Sequence, residues 1–496
     1  MKKIKNIIKQ KIILLPYGQA ILDYSTMSFA TISGMMFGFV KGFIVAKILG
    51  PTNFGTWKGI EILQLYHQYT TFGTQNGLSR EIPRLRGEGK LKEIEEIRNI
   101  GFGQIFTVPF LIAILMAMYS LTLSAGLMKF AIFMTSINVM LLMIHNYFVR
   151  LLFADLRFVT FSKVNFILSI MINTLAIISA FIWKSRAPYI TVFIAEILTI
   201  SVLVYIGRYK IMPIISFAKS IRLIRIGFPI MMVGFLYGLL TTVDRIIILK
   251  YFDTTQLGYY SLLLMVGVIY SSISNGIGEI VYPRMNQKYG VTKRADSLDF
   301  LLFIPGYVMS VLFAILSVVL ILFISYLVPI FLKKYSAGIL PASIFCIGAS
   351  VSGGSILNTI DRQWYSLVIQ FIAVVINVFI SMFLIKHSFG LAGVAIGTII
   401  SLIIYRLGVT MLSYRYVNLN KYLIVKRIIA TTAPAGMVGV YYFFFINIPK
   451  IFNVNNTIYF QGVVFFTFLI ILTVILVKRF KSVLTKKVYF KYGIVQ

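Results

Sequence analysis

Among the charged side chains that interrupt the apolar runs of this 496-residue sequence, seven are candidates for chemistry: Lys41, Lys47, Lys58, Glu61, Glu196, Asp244 and Arg245. In hydrocarbon each would cost at least about 2.5–3.5 kcal/mol, so each needs a partner or water. Lys41, between MMFGFV and GFIV, has three placements open to it. It can snorkel to an interface, enter an internal ion pair, or face a cavity and meet an anionic headgroup. Lys58 and Glu61 are three residues apart and share a helix face, either as a simple surface pair or as part of a polar cavity. Asp244 and Arg245 are adjacent. They either stabilise a helix bundle locally, or Arg245 binds phosphate, for which a guanidinium is geometrically suited. Asp244 would then hold the arginine or carry a coupling cation. Glu196, in VFIAEILTI, has no charged neighbour in sequence. It is either a protonated acid bonded to another helix or a coupling site. His67 lies six residues after Glu61, about 240° round the helix, so a proton relay through both is disfavoured.

The motifs of nucleotide-driven pumps and of common hydrolases are not found. There is no Walker lysine loop, no Gly-x-Ser-x-Gly and no pair of metal-binding carboxylates in a loop. The single cysteine, Cys346, permits no intramolecular disulfide. With three histidines a zinc cluster is not expected, nor is any cofactor.

The elements that position these charges follow from composition. Hydrophobic residues make up 59% of the chain and charged residues 12%, about half the charged share of a soluble domain. The mean hydropathy is +0.89. Such a chain is dissolved in lipid. Lys and Arg number 47 against 15 acidic residues, a net charge of +32. They gather between apolar runs, which points to anionic lipid at the cytoplasmic face and away from nucleic acid. About 14 spans are expected, near 28–49, 57–79, 101–123, 128–149, 164–183, 188–206, 227–249, 259–281, 300–324, 338–357, 366–385, 391–412, 428–447 and 457–477. The second and tenth are the most polar and glycine-rich. With a cytoplasmic N-terminus, inside segments carry about 34 basic residues and outside segments about 8, which places both termini in the cytoplasm. The basic start, Lys2 to Lys11, has no adjoining cleavable apolar segment and reads as a retained tail. The longest polar stretch is about 20 residues, too short for a catalytic head. The stretch from Arg80 to Arg98, with Glu93, Glu95 and Glu96, reads as a short amphipathic surface helix.

The chain also repeats itself. IVAKILGPTNFGTW (Ile44–Trp57) and IIILKYFDTTQLGYY (Ile246–Tyr260) align at an offset of 203, with Lys47 on Lys250, Thr52 on Thr255, Gly55 on Gly258 and Trp57 on Tyr260. At that offset Asp244 falls on Lys41, which leaves two readings open: opposite charges that face each other across an inter-lobe cleft, or local pairing of Asp244 with its neighbours. Asn76-Gly77 and Asn275-Gly276 are a second echo. Two six-helix lobes, 28–206 and 227–413, are predicted on either side of a basic linker, 207–226. Two extra helices occupy 428–477, and basic tails occupy 1–27 and 478–496. The fold class expected is an all-α polytopic membrane protein.

LGPTNFGTW, NGLSREIPR and TTVDRIIILKYFDTTQLGYYS resemble the Wzx-type polysaccharide and O-antigen flippases of the multidrug/oligosaccharidyl-lipid/polysaccharide exporter superfamily. The resemblance implies a plasma-membrane carrier, not an enzyme. Such a carrier moves a polyprenyl-(pyro)phosphate-linked oligosaccharide from the inner to the outer leaflet by alternating access, for surface polysaccharide synthesis. The partners it implies are the lipid-linked glycan, glycosyltransferases and a glycan polymerase. On motif position Lys41 and Arg245 match the cavity cations of that family, with Asp244, Lys58 and Glu61 as their partners and Glu196 or Asp244 as coupling groups. The alternative on the same fold is a cation-coupled multidrug exporter, which would favour an acidic cavity.

Overall fold

The computed structural model describes residues 18–155, 157–451 and 461–474. Residues 1–17 and 478–496, parts of the two expected tails, lie outside them. All regular structure among the described residues is helical. The helices are α1 (Gly18–His67), α2 (Thr74–Gly87), α3 (Leu91–Gly103), α4 (Val108–Thr122), α5 (Leu127–Ala154), α6 (Phe158–Trp183), α7 (Ala187–Gly207), α8 (Phe217–Leu240), α9 (Val243–Tyr251), α10 (Thr254–Thr292), α11 (Asp299–Phe331), α12 (Ile339–Ala349), α13 (Gln363–Lys386), α14 (Gly390–Tyr416), α15 (Lys421–Ile451) and α16 (Gln461–Val474). Nine stretches of the described residues are long and apolar enough to cross a membrane. The chain is an all-α polytopic membrane protein.

The expected spans are joined and broken in ways that simple hydropathy hides. The first two form one 50-residue helix, α1, kinked at Gly50 (φ 73°). The Leu-Gly-Pro signature explains this kink. Gly50 combines its positive φ with an extended ψ of 168°, a conformation essentially open to glycine alone, which closes one helix, and Pro51 opens the next, where its missing N–H costs nothing. The second span then breaks over 68–73. A 3-10 turn, Gln68–Thr71, is followed by Phe72 and Gly73, both left-handed. The seventh span also divides, between α8 and α9. The Thr242 hydroxyl bonds the Gly238 carbonyl at 2.7 Å, offering the backbone an alternative to the helix ladder.

By internal contacts the chain divides into two compact units. The first is Phe29–Ser261 and the second is built on residues from Leu262 onward. The repeat predicts a boundary within 207–226. By contacts α8 and α9 instead join the helices that precede them. Gly227 lies backbone-to-backbone on Gly73, and Leu223 on Gly77, so closely that a Cβ on any of these glycines would overlap the partner backbone. Tyr69 Oη donates to the Gly234 carbonyl at 3.0 Å.

The core of the first unit joins Leu78, Ile82 and Leu85 of α2 to Tyr147, Leu151 and Leu152 of α5, with Leu203 and Leu223. At one end of it Asp155 gathers three elements. Arg86 bonds one carboxylate oxygen, Arg98 bonds the same oxygen at 2.7 Å, and Tyr209 donates to the other at 2.5 Å. The two halves of the repeat also meet inside this unit. Thr52 and Thr255 bond hydroxyl to hydroxyl at 3.0 Å. A Cβ on Gly55 would overlap the Thr254 carbonyl, and one on Gly258 the Pro51 carbonyl. The repeat is asymmetric further on, because α10 runs unbroken from Thr254 through Asn275-Gly276 to Thr292, whereas the first copy breaks over 68–73, just before Asn76-Gly77.

The second unit corrects the tenth span, expected at 338–357. Helix α12 has only 11 residues, and 351–356 is non-helical. Non-helical backbone at membrane depth must be satisfied by protein. Arg406 of α14 donates to the carbonyls of Ala349 and Val351 at 3.0 and 2.5 Å, a cation placed at a helix C-terminus. Thr410 donates to the Gly354 carbonyl at 3.1 Å, and the Ile356 N–H donates to Ser413. Gly353 and Gly354 leave no room for side chains against Thr410 and Leu302. A fork-to-fork pair, Arg427 with Asp299, ties α15 to α11.

Candidate functional site

The first unit contains a cavity of about 330 Å³. Two helical stripes line it, each spaced i, i+3, i+4, i+7. One is Glu61, Gln64 and Leu65 on α1 with Gln68 at the start of the 3-10 turn that follows, and the other is Val139, Leu142, Met143 and Asn146 on α5. Arg245 of α9 and His67 complete the lining.

Charge is concentrated at one end. Lys58 Nζ donates to both Glu61 carboxylate oxygens, at 3.1 and 3.0 Å. Its ammonium also sits over the Trp57 ring, 4.2 Å from the centroid, a cation–π contact. Arg245 Nη1 reaches Glu61 Oε2 at 3.5 Å. The side chains of Lys58 and Arg245 are each 17% exposed, while that of Glu61 is 35% exposed. Lys41 is half-buried and within coulombic range of both Lys58 and Glu61. Two cations therefore bond Glu61, and a third lies within coulombic range of it. Arg245 Nε is buried and unpartnered among the described residues. A guanidinium with donors to spare beside two ammonium groups is suited to a phosphate.

The sequence-predicted residues fall into two sets. Lys41, Lys58, Glu61 and Arg245 are brought together. Asp244, read either opposite Lys41 or in local pairing, is sealed within the protein, 1% exposed. Its carboxylate accepts from Tyr260 Oη at 2.8 Å and from the Arg245 backbone N–H at 2.7 Å. The physical reason is the break before α9. It puts Asp244 in the first turn of a helix, where backbone N–H groups attract a carboxylate, and turns the Arg245 side chain toward Glu61. Glu196 is also apart from the cleft charges. It bonds His145 Nδ1 at 2.6 Å, linking α7 to α5.

Sequence reasoning missed the neutral residues of the cleft: Gln64, Gln68 and Asn146. Their signal was present. Glu61, Gln64 and Gln68 recur at helical spacing in a run otherwise apolar or aromatic. The α1 stripe is held in place by Tyr66, whose hydroxyl bonds Thr242 at 2.5 Å, and by edge-on packing of Tyr66 and Tyr69 on Phe235.

The fold defines a polytopic, all-helical membrane protein. The profile of the polysaccharide biosynthesis protein family matches residues 23–288, more than half of the sequence, and the chain belongs to that family. No curated protein matches it. Among solved structures it is similar to the lipid II flippase MurJ in its inward closed conformation. The identity is 17% and the TM-score 0.65, over 92% of this chain and 99% of that one. It is also similar to an inward-facing multidrug resistance MATE family transporter of the MOP superfamily, at 13% identity and TM-score 0.57, over 79% and 98% of the two chains. An outward-facing MATE structure matches at 13% identity and TM-score 0.53, over 80% and 95%. These likenesses establish the fold.

Proposed function

We propose that the protein is a flippase for a polyprenyl-(pyro)phosphate-linked oligosaccharide. It carries this substrate from the inner to the outer leaflet of the plasma membrane by alternating access, for surface polysaccharide synthesis. The observation that supports this reading best is the pairing of Lys58 and Arg245 with Glu61, with Lys41 in coulombic range, at one end of the cleft between α1, α5 and α9. A diphosphate headgroup cannot enter hydrocarbon unaided. A wet cationic cleft replaces its lost hydration, and the excess of cations over carboxylates matches its charge. Membership of the polysaccharide biosynthesis family supplies the glycan. The same charge balance disfavours export of cationic drugs, which would call for acidic residues. The chain acts as a carrier, not a catalyst, with both termini cytoplasmic. Glycosyltransferases supply the substrate and a polymerase consumes it.

The test is sidedness. In a strain lacking the gene, lipid-linked glycan should accumulate on the cytoplasmic face, scored with an impermeant probe on sealed and opened spheroplasts. Wild-type protein should restore export, and Lys41→Ala or Arg245→Ala should not, at equal protein level. Unchanged sidedness with altered glycan length would replace this reading with an enzymatic one.

A further inference from the structure

The cleft has a second, uncharged end. Gln64 and Asn146 line the cavity and make no hydrogen bond to any described residue. Gln68 donates its amide to the Leu65 carbonyl at 2.9 Å, which leaves its oxygen as an acceptor. His67 Nε2 lies 3.0 Å from the Pro109 carbonyl. A carbonyl only accepts, so Nε2 carries the hydrogen. Nδ1 is buried and has no partner among the described residues. These four groups alternate with apolar surface from Leu65, Val139, Leu142 and Met143.

The two ends are separated along α1. Glu61 and Gln68 are seven residues apart, about 10 Å along the helix axis. Gln75 meets the Met143 sulfur at 3.7 Å, which sets α5 alongside the chain beyond Gln68. Asn146, one turn further, therefore lies at the end away from Arg245. An occupant must present an anion at one end. At the other it must present hydroxyls and amides interleaved with C–H faces. A cation has no carboxylate to meet there, and a wholly apolar group would leave the carboxamides unpaired. A monosaccharide joined to a phosphate has the required pattern.

We propose that Gln64, Gln68, Asn146 and His67 form a subsite for the phosphate-proximal sugar of the transported lipid. This inference rests on the flippase reading. Its phosphate would occupy the Arg245 end. The carboxamides would exchange hydrogen bonds with sugar hydroxyls, and Leu65 and Leu142 would cover a face of the ring.

The test is binding to the full-length protein in nanodiscs. The probes are a polyprenyl diphosphate bearing one N-acetylglucosamine and the same lipid without sugar. The wild type should prefer the sugar-bearing lipid. Gln64→Leu with Asn146→Leu should weaken that lipid about ten-fold or more and leave the bare lipid within about two-fold, as expected for two lost neutral hydrogen bonds. The near-isosteric Gln64→Met alone should show a smaller loss of the same selectivity. Uridine diphosphate N-acetylglucosamine competing with the same dependence on Gln64 and Asn146 would also support the subsite and point to a water-soluble sugar. Equal binding of both lipids by the wild type, or equal weakening of both by Gln64→Met, would overturn it. If the wild type binds neither lipid, the flippase reading falls and the subsite falls with it.

Discussion

Glu61 decides the chemistry of the charged end, because its carboxylate bonds both Lys58 and the Arg245 guanidinium. Its pairing with Lys58 was legible from a spacing of three residues. Its pairing with Arg245 spans 184 residues and no local pattern announces it. The adjacent Asp244 accepts from the Arg245 backbone N–H and from Tyr260, not from the Arg245 guanidinium. Arg245→Ala should abolish export at normal protein level. Arg245→Lys should retain only a fraction of it, since an ammonium keeps the charge but loses the bidentate fork. Glu61→Gln leaves Lys58 and the Arg245 guanidinium without the carboxylate they bond, with the buried Asp244 the remaining carboxylate beside Arg245. It should destabilise the protein by roughly 1–2 kcal/mol, less than for a fully buried pair because Glu61 is partly exposed. Thermal unfolding in detergent would show that loss. The same variant should bind inorganic pyrophosphate more tightly, with a steeper salt dependence.

Elements were legible where hydropathy alone defines them and illegible where a helix breaks. The apolar runs behind α5, α7, α11, α13 and α14 stand where the sequence puts them. The breaks at 68–73, at Thr242 and after α12 depend on contacts distant in sequence, such as Gly73 on Gly227 and Arg406 on the Ala349 carbonyl. The break at Gly50 was spelled out by Leu-Gly-Pro. A charge network that joins elements makes its own prediction. Asp155 holds Arg86, Arg98 and Tyr209 together. Asp155→Asn removes the charge that separates two arginines. It should cost roughly 1–3 kcal/mol, seen as a lower unfolding temperature. Burial first, and the bond to Asp155 second, push the Tyr209 phenol above its ordinary range. A raised value stabilises the fold fully below the ordinary phenol range, near 10, and that contribution is lost as the pH climbs through the raised value. Tyr209→Phe should therefore flatten the alkaline limb of a stability–pH curve.

At the scale of the molecule, the most informative contact is that of the repeat with itself. The offset of 203 was readable in the sequence, and the structure pairs Thr52 with Thr255 across that same interval. Gly55 and Gly258 pack so closely on the opposite strand of chain that no side chain fits. Sequence similarity could show that the copies are alike but not that they touch, since the contact depends on backbone approach. If transport proceeds by alternating access, this contact must open in each cycle. Thr52→Cys with Thr255→Cys would place two sulfurs where hydroxyls now lie 3.0 Å apart, within reach of a bond of about 2.05 Å after small adjustment. Cys346 is buried and will not compete. Oxidation should arrest export with glycan held on the cytoplasmic face, and reduction should restore it. Each single variant should export normally under both conditions. Full export by the quantitatively cross-linked protein would show that these loops stay together throughout the cycle, and the parting of the repeats would then have to occur elsewhere in the chain.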